Sequence, residues 1–134
     1  MGKTLDDVRG HVAQLAVLID APPDTLPVFE VDEMGRPYVE REGRVFSYVV
    51  NERGEELVRR RTESLNELLY WIFADVTHAM ATQWEWSNRT TSQDSRRRFL
   101  SMQLSLLLRL DSVWAARYRS ENAELLREVG LSQL

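Results

Sequence analysis

The stretch that decides the fold is residues 64–86, SLNELLYWIFADVTHAMATQWEW. Ser64 precedes Glu67 by three residues, the capping-box spacing that begins a helix just before an apolar run. The opposite side of this helix carries further large apolar residues around a narrow polar stripe. A helix that is apolar on nearly all sides is buried between layers or covered by a partner. Its broad apolar face, at a period of 3.6 residues, consists of Leu65, Leu68, Leu69, Ile72, Phe73, Val76, Ala79 and Met80.

A first helix is predicted upstream, over residues 4–20. Thr4 is a plausible N-cap and Asp7 lies in the first turn, where an acidic residue favours a helix start. The pair Pro22-Pro23 ends this helix, because proline cannot continue the hydrogen-bond ladder and disfavours helix in the preceding residue.

Between residues 26 and 61 the apolar period changes to two, which predicts strands. Glycine-containing turns recur at Met34-Gly35, Glu42-Gly43 and Arg53-Gly54, a spacing typical of a β-meander. The last strand is mostly charged, as in an edge strand protected against pairing, although its Glu and Arg residues also favour helix. The four predicted strands are 27–31, 36–41, 44–50 and 55–61.

Two more helices are predicted after a polar turn at residues 87–91. One runs from about Gln93 to Leu110, and the last begins at Asp111 or Ser112 and stops at Gly130 in a left-handed cap. The expected architecture is α+β: an N-terminal helix, a four-stranded antiparallel meander, and three C-terminal helices packed on the sheet. The length of 134 residues suits a single domain, residues 1–134.

Composition and charge exclude several classes of protein. The chain has no cysteine, which excludes a disulfide framework and a thiolate metal site. The N-terminus lacks the apolar core of a signal peptide, and no apolar stretch approaches the ~18 residues of a membrane span, so we expect a cytoplasmic protein without a membrane partner. The net charge of -4 argues against nucleic-acid binding. The basic runs Arg59–Arg61 and Arg96–Arg98 keep that alternative open, although such runs are more often solvated or ion-paired faces.

His78 is the candidate for a metal site or for acid–base chemistry. Asp75 lies three residues before it, and Glu67 and Glu85 lie nearly in line with it on the helical wheel. At 1.5 Å per residue, each of these two glutamates is ~10 Å or more from His78 along the axis, so one helix cannot bring all three to one ion. The sequence also lacks a nucleophile elbow and a glycine-rich phosphate loop. We therefore assign no catalytic, cofactor-binding or metal residue and expect no enzyme; a small metal-dependent enzyme is the alternative.

An antiparallel hairpin of the central and third helices would give the same polar residues structural partners. Glu85 would then meet Arg96 or Arg97, and Gln103 would lie near Asp75 or His78 of the central helix. An unpaired polar group inside the apolar arc would cost about 1–3 kcal/mol, so we expect a seam that fixes the register of the two helices. A merely structural seam predicts that Gln103→Leu is tolerated or stabilising. The predicted buried polar seam consists of Asp75, His78, Glu85, Arg96, Arg97 and Gln103.

Candidate residues for partner binding are Trp71, Trp84, Trp86 and Arg89. Tryptophans could stack nucleic-acid bases, but in an apolar helical domain they more often belong to the core. Trp84 and Trp86 point in nearly opposite directions on a helix, so at least one of them is expected at the surface. An exposed tryptophan beside Arg89 would be a good interface anchor.

The strand, the central helix and the third helix together carry a longer pattern of aromatic and polar residues. It consists of ELLYWIFADVTHAMATQWEW (67–86), Asn88-Arg89, QDSRR (93–97) and FLSMQLSLLLRLDSVWAAR (99–117), with the strand and turn FSYVVNERG (46–54) before it. This pattern resembles the immunity protein 63 family of bacterial polymorphic toxin systems, over about residues 36 to 128. The resemblance implies a small cytoplasmic protein that binds and neutralises a cognate toxin domain by protein–protein interaction. It carries no individual functional residue over to this chain.

The residues themselves are compatible with that implication. The chain is acidic, has no active-site constellation, implies no cofactor and offers several aromatic anchors. An acidic inhibitor would suit a basic toxin such as a nuclease, because complementary charge assists association, but a net charge of -4 is too modest to identify the toxin. The final helix is a candidate homodimer interface.

Overall fold

The computed structural model describes residues 3–91 and 94–131. The chain divides into two compact units, residues 1–73 and 74–134, and the division falls within the long helix α2. The α+β class is confirmed. The elements in chain order are α1 (Leu5–Leu18), a 3₁₀ turn (Pro23–Thr25), β1 (Tyr38–Glu42), β2 (Val45–Glu52), β3 (Glu55–Thr62), α2 (Leu65–Ser87), α3 (Ser95–Leu110), α4 (Ser112–Glu121) and α5 (Ala123–Glu128).

Helix α1 begins with the predicted cap. The Thr4 hydroxyl accepts a hydrogen bond from the Asp7 N–H at 3.2 Å, and the Asp7 carboxylate accepts one from the Thr4 N–H at 2.8 Å. This complete capping box satisfies two of the N–H groups that a helix start leaves unpaired. The backbone hydrogen bond from Thr4 lowers the pKa of the Asp7 carboxyl.

The first unit contains a three-stranded antiparallel sheet in the order β1-β2-β3. Two-residue turns join the strands, and Arg53 and Gly54 have φ angles of 53° and 80°, as a type I′ hairpin requires. In the register of β2 with β3, Val50 pairs with Val58 and Asn51 pairs with Glu56, which leaves Leu57 as the extra residue of a bulge. Strand β3 lies at the edge of the sheet and is mostly exposed, as its charges predicted.

The prediction of a fourth strand was wrong. Residues 27–31 form no strand, and their contribution is one parallel bridge between Val28 and Tyr38. The Val28 N–H donates to the Pro37 carbonyl and the Val39 N–H donates to the Val28 carbonyl, each at 3.0 Å. A strand entering antiparallel from the Gly35 turn cannot make this parallel pairing.

The side chains of the loop explain why no hairpin forms there. The Asp32 carboxylate accepts hydrogen bonds from the Met34 and Arg36 N–H groups, at 2.8 Å and 3.1 Å. The Arg36 guanidinium in turn donates to the carbonyls of Pro23 and Leu26, at 2.8 Å and 3.0 Å. These bonds hold the chain before the sheet as a compact loop, in which Arg36 connects the turn at Asp32 with the carbonyls of Pro23 and Leu26.

The long helix α2 agrees with the stretch quoted first. The Ser64 hydroxyl accepts from the Glu67 N–H at 3.1 Å, whereas the Ser64 N–H donates to Thr62, so half of the expected capping box forms. The middle of the predicted face is buried, since Leu68, Ile72, Phe73 and Val76 are fully buried, whereas Ala79 near its end is exposed. None of the described helices combines the length and apolar character that crossing a membrane requires.

The second unit is helical. Asp94 caps α3 by accepting from the Arg96 N–H at 2.9 Å, and Asp111 caps α4 by accepting from the Val113 N–H at 2.7 Å. The predicted start of α3 at Gln93 lies outside the described residues. One apolar cluster unites α3, α4 and α5; its buried members are Leu100, Leu104, Leu107, Ala115, Tyr118, Leu126, Val129 and Leu131.

The single last helix that the sequence predicted is in fact two, α4 and α5, so four helices follow the sheet among the described residues. The break falls at Asn122, whose backbone N–H and side-chain Nδ2 both donate to the Tyr118 carbonyl, at 3.0 Å and 2.9 Å. The backbone leaves helical geometry at Asn122, with φ of −118° and ψ of 22°, and its side chain adds a second donor to that carbonyl. The predicted left-handed stop at Gly130 is confirmed, with φ of 79°.

Candidate functional site

The candidate site lies where α2 ends and α3 begins, within the second unit. We call it the tryptophan–arginine cluster, and it consists of Trp84, Glu85, Trp86, Arg89 and Arg98. Because a helix turns by 100° per residue, Trp84 and Trp86 face nearly opposite sides of α2. Trp84 is half-buried, whereas Trp86 keeps 68% of its surface exposed.

Arg89 holds the exposed Trp86 in place. Its guanidinium carbon lies 4.7 Å from the centre of the Trp86 ring, a cation–π geometry. Its Nε donates to both carboxylate oxygens of Glu85, at 3.1 Å and 3.2 Å. Glu85 is only 5% exposed and lies one helical turn before Arg89. The nearly buried Glu85 therefore holds Arg89 in position, and Arg89 in turn holds the exposed indole of Trp86.

Glu85 and Arg89 each shift the pKa of the other. The hydrogen bond from Arg89 lowers the pKa of the Glu85 carboxyl, against the opposing effect of burial. The same bond raises the pKa of the Arg89 guanidinium. Both groups therefore stay charged throughout the neutral range, so the support behind Trp86 is constant at physiological pH.

A second arginine packs on the second tryptophan. The Arg98 guanidinium carbon lies 4.8 Å from the centre of the Trp84 ring, and its Nη2 donates to the Asn88 carbonyl at 2.7 Å. This bond ties α3 to the C-terminal end of α2. A concavity of about 290 Å³ adjoins it, lined by Trp84, Arg97, Arg98, Ser101, Met102 and Ser105.

The structure separates the four predicted partner-binding residues. Trp86 and Arg89 are exposed, and Trp84 is half-buried. Trp71 is buried in the first unit, where the Arg60 guanidinium carbon lies 4.3 Å from its ring centre, so its side chain is not presented to a partner. Sequence reasoning missed Arg98 as a member of the site. The signal was present, because the proposed helix hairpin places the start of α3 opposite the end of α2.

The predicted polar seam divides into buried and exposed members. Glu85 and Gln103 are buried, whereas Asp75, His78, Arg96 and Arg97 are exposed. The expected pairing of Glu85 with Arg96 or Arg97 was wrong, because the Glu85 carboxylate pairs with Arg89, which follows the end of α2 by two residues.

The two arginines at the start of α3 have other partners. Arg96 lies near the carboxylates of Asp94 and Glu128, at 3.9 Å and 3.6 Å. Arg97 donates to the carbonyls of Val129 and Gly130, at 2.9 Å and 3.3 Å. These contacts connect the start of α3 with the end of α5, so their effect is structural.

Gln103 is the centre of a buried network, but not with the partners that the sequence predicted. Its Nε2 donates to the Ala74 carbonyl at 3.0 Å and to the Thr77 hydroxyl at 3.2 Å. Its Oε1 accepts from the Tyr118 hydroxyl at 3.0 Å. Burial raises the pKa of Tyr118 to about 12. The expected neighbour His78 instead packs edge-on against Phe99, with ring centres 4.9 Å apart.

The two basic runs are largely engaged by groups of their own chain. Arg59 lies 2.7 Å from Glu40 and 2.6 Å from Glu56, and Arg60 covers Trp71. All three arginines of the second run have the contacts given above. These interactions reduce the charge that the runs offer to phosphate groups. Over residues 3–91 and 94–131, no group of three or more histidine or acidic side chains is arranged to hold a metal ion.

Comparison with known proteins agrees with the resemblance seen in the sequence. The family model described as Immunity protein 63 matches residues 42–124, well over half of the chain, and this range includes the tryptophan–arginine cluster. No curated protein and no solved structure matched the chain. The chain belongs to the immunity protein 63 family.

Proposed function

We propose that this chain binds a cognate bacterial toxin domain and neutralises it by protein–protein interaction. Membership of an immunity protein family supports this role. In this proposal the chain acts in the cytoplasm as a single domain, residues 1–134, without a cofactor and without a catalytic step of its own. The toxin is a domain of a polymorphic toxin system.

The proposed binding surface rests on one observation: Trp86 is 68% exposed, and Arg89 packs against its ring. Large exposed side chains normally pay an entropic cost when a partner immobilises them. Here Arg89 covers one face of the indole, and Glu85 holds Arg89. Tryptophan and arginine are the residue types most enriched at the energetic centres of interfaces. We infer that the toxin packs on Trp86 and on the adjoining Arg89.

The test is co-expression of this chain with the polymorphic-toxin C-terminal domain encoded next to its gene, followed by a binding measurement with purified proteins. The native chain should rescue growth and form a complex. Trp86→Ala should weaken binding at least tenfold, because truncating a central interface tryptophan typically costs about 2 kcal/mol or more. Val113→Ala is the matched control, since Val113 is also a largely exposed apolar residue of the second unit.

Thermal unfolding of both variants establishes that they remain folded. Binding by Trp86→Ala as tight as that of the native chain would reject this surface while leaving toxin neutralisation intact. A toxic neighbour that the native chain neither binds nor rescues would reject that pairing altogether.

A further inference from the structure

The outer edge of β3 has no partner in the sheet. Strand β2 pairs with its inner edge, and in the described ranges 3–91 and 94–131 no strand or bridge pairs with the other side. An open edge offers a row of backbone N–H and C=O groups that another strand can pair with. Natural proteins usually protect such an edge with charged side chains.

The charges along β3 change sign in the middle of the strand. It begins with Glu55 and Glu56, continues with Leu57 and Val58, and then carries the basic run Arg59–Arg61. Leu57 and Val58 are 52% and 38% exposed. A strand with charges of one sign would repel every copy of itself, whereas a strand with two signs repels a copy in one orientation only.

We infer that the β3 edge is an interface for a second copy of this chain, with the two β3 strands antiparallel. That orientation places the acidic half of each strand opposite the basic half of the other, with the exposed Val58 at the centre and the bulge residue Leu57 beside it. Parallel pairing would place like charges opposite each other. Antiparallel pairing about a two-fold axis uses the same surface patch on both copies, as closed homodimers do.

Some charged side chains of β3 are not used by ion pairs within the described part of their own chain and are available to a second copy. Arg59 is held by Glu40 and Glu56 of its own chain. Glu55 and Arg61, one in each half of the strand, form no ion pair with another described residue. The final helices, where the sequence suggested a homodimer interface, offer less apolar surface to a second copy, because Trp114, Tyr118 and Leu126 are buried.

The experiment is sedimentation of the purified full chain over a concentration series. The native chain should dimerise reversibly, and weakly, because a single strand pair buries little surface. The acidic half is altered in Glu55→Lys with Glu56→Lys, and the basic half in Arg60→Glu with Arg61→Glu. Each double variant alone should dimerise at least tenfold more weakly, because it places like charges opposite each other.

An equimolar mixture of the two double variants provides the decisive measurement. Their altered strands carry complementary charges in the antiparallel orientation, so the mixture should form a heterodimer that neither variant forms by itself. Glu30→Lys with Glu124→Lys is the matched control, since it changes the net charge by the same amount at exposed positions outside the strand. This control should dimerise as the native chain does.

A native chain that stays monomeric at all concentrations would overturn the inference. So would folded double variants, verified by circular dichroism, that fail to associate when mixed. A monomeric native chain whose toxin binding is lost in the double variants would instead assign the edge to the toxin. Toxicity rescue by the native chain is measured separately, so failure of the dimer leaves the proposed function untouched.

Discussion

Glu85 and Gln103 are two buried polar residues on facing helices of the second unit, and they are satisfied in different ways. Glu85 is held by Arg89, which lies just past the end of its helix, whereas Gln103 relies on a carbonyl and two hydroxyl groups from other helices. Burying a polar group is tolerated only when its hydrogen bonds are made. The two residues therefore predict different responses to mutation.

The ion pair of Glu85 predicts a pH dependence of stability. Since Arg89 lowers the pKa of Glu85 in the folded chain, the resulting stabilisation is complete above the ordinary glutamate pKa of about 4.3 and is lost as the pH falls through the lower folded value. Glu85→Gln should remove this part of the acid sensitivity. Thermal unfolding of both proteins from neutral pH to pH 3 measures the effect. Glu124→Gln, at an exposed position, should behave as the native chain; identical acid profiles for all three would contradict the assignment.

The Gln103 network predicts that leucine at this position is destabilising. This replaces the sequence-based expectation that the change is tolerated, because leucine leaves the buried Tyr118 hydroxyl without its acceptor. An orphaned buried hydroxyl costs about 1–3 kcal/mol. Chemical denaturation should show a loss of this size for Gln103→Leu.

Removing both partners of that bond provides the control. Gln103→Leu combined with Tyr118→Phe should recover part of the lost stability, because no hydroxyl is then orphaned. Strictly additive losses in the double variant would show that the hydrogen bond does not account for the effect.

At the scale of elements, local signals located most of the helices. At three helix starts a side-chain oxygen accepts a hydrogen bond from a backbone N–H group; these oxygens belong to Thr4, Ser64 and Asp111. Donor and acceptor are two or three residues apart, so the local sequence is enough to predict these starts. Segments whose conformation depends on side chains far away in the sequence were harder to predict. The sequence of residues 27–31 predicted a strand, but the segment makes one parallel bridge, from Val28 to Tyr38, and Arg36 holds the chain just before it at the carbonyls of Pro23 and Leu26.

The hairpin between β2 and β3 predicts a stabilising substitution. Arg53 adopts a φ of 53°, a left-handed conformation that costs a typical L-residue about 1–2 kcal/mol and that asparagine tolerates better. Arg53→Asn should therefore raise the free energy of unfolding by several tenths of a kcal/mol, up to about 1 kcal/mol. Arg44→Asn, in the other hairpin and without a positive φ, should change it little. Equal effects of the two changes in denaturation experiments would contradict the explanation.

At the scale of the whole molecule, the boundary between the two compact units lies inside a continuous helix. Helix α2 runs from Leu65 to Ser87, and the boundary falls between Phe73 and Ala74. A helix forms cooperatively, so melting one half removes hydrogen bonds and packing from the next turn. This continuity is the physical basis for the proposed single domain.

Calorimetry tests that proposal. We expect one unfolding transition whose calorimetric and van't Hoff enthalpies agree, as for a two-state domain. Glu85→Gln in the second unit should shift the entire transition rather than a part of it. Two separate transitions, with only one sensitive to the substitution, would show that the units unfold independently.

The sequence by itself determined the α+β class, the three long helices, the charged edge strand and the family, because these depend on local periodicity, caps, turns and residue pattern. Tertiary structure alone decided the loss of the fourth strand, the partner of Glu85, the burial of Trp71 and the exposure of Trp86. Each of these depends on which groups compete for the same hydrogen bond or ring face. That competition involves residues far apart in the chain, or alternative partners at similar distance, and a linear pattern does not rank them.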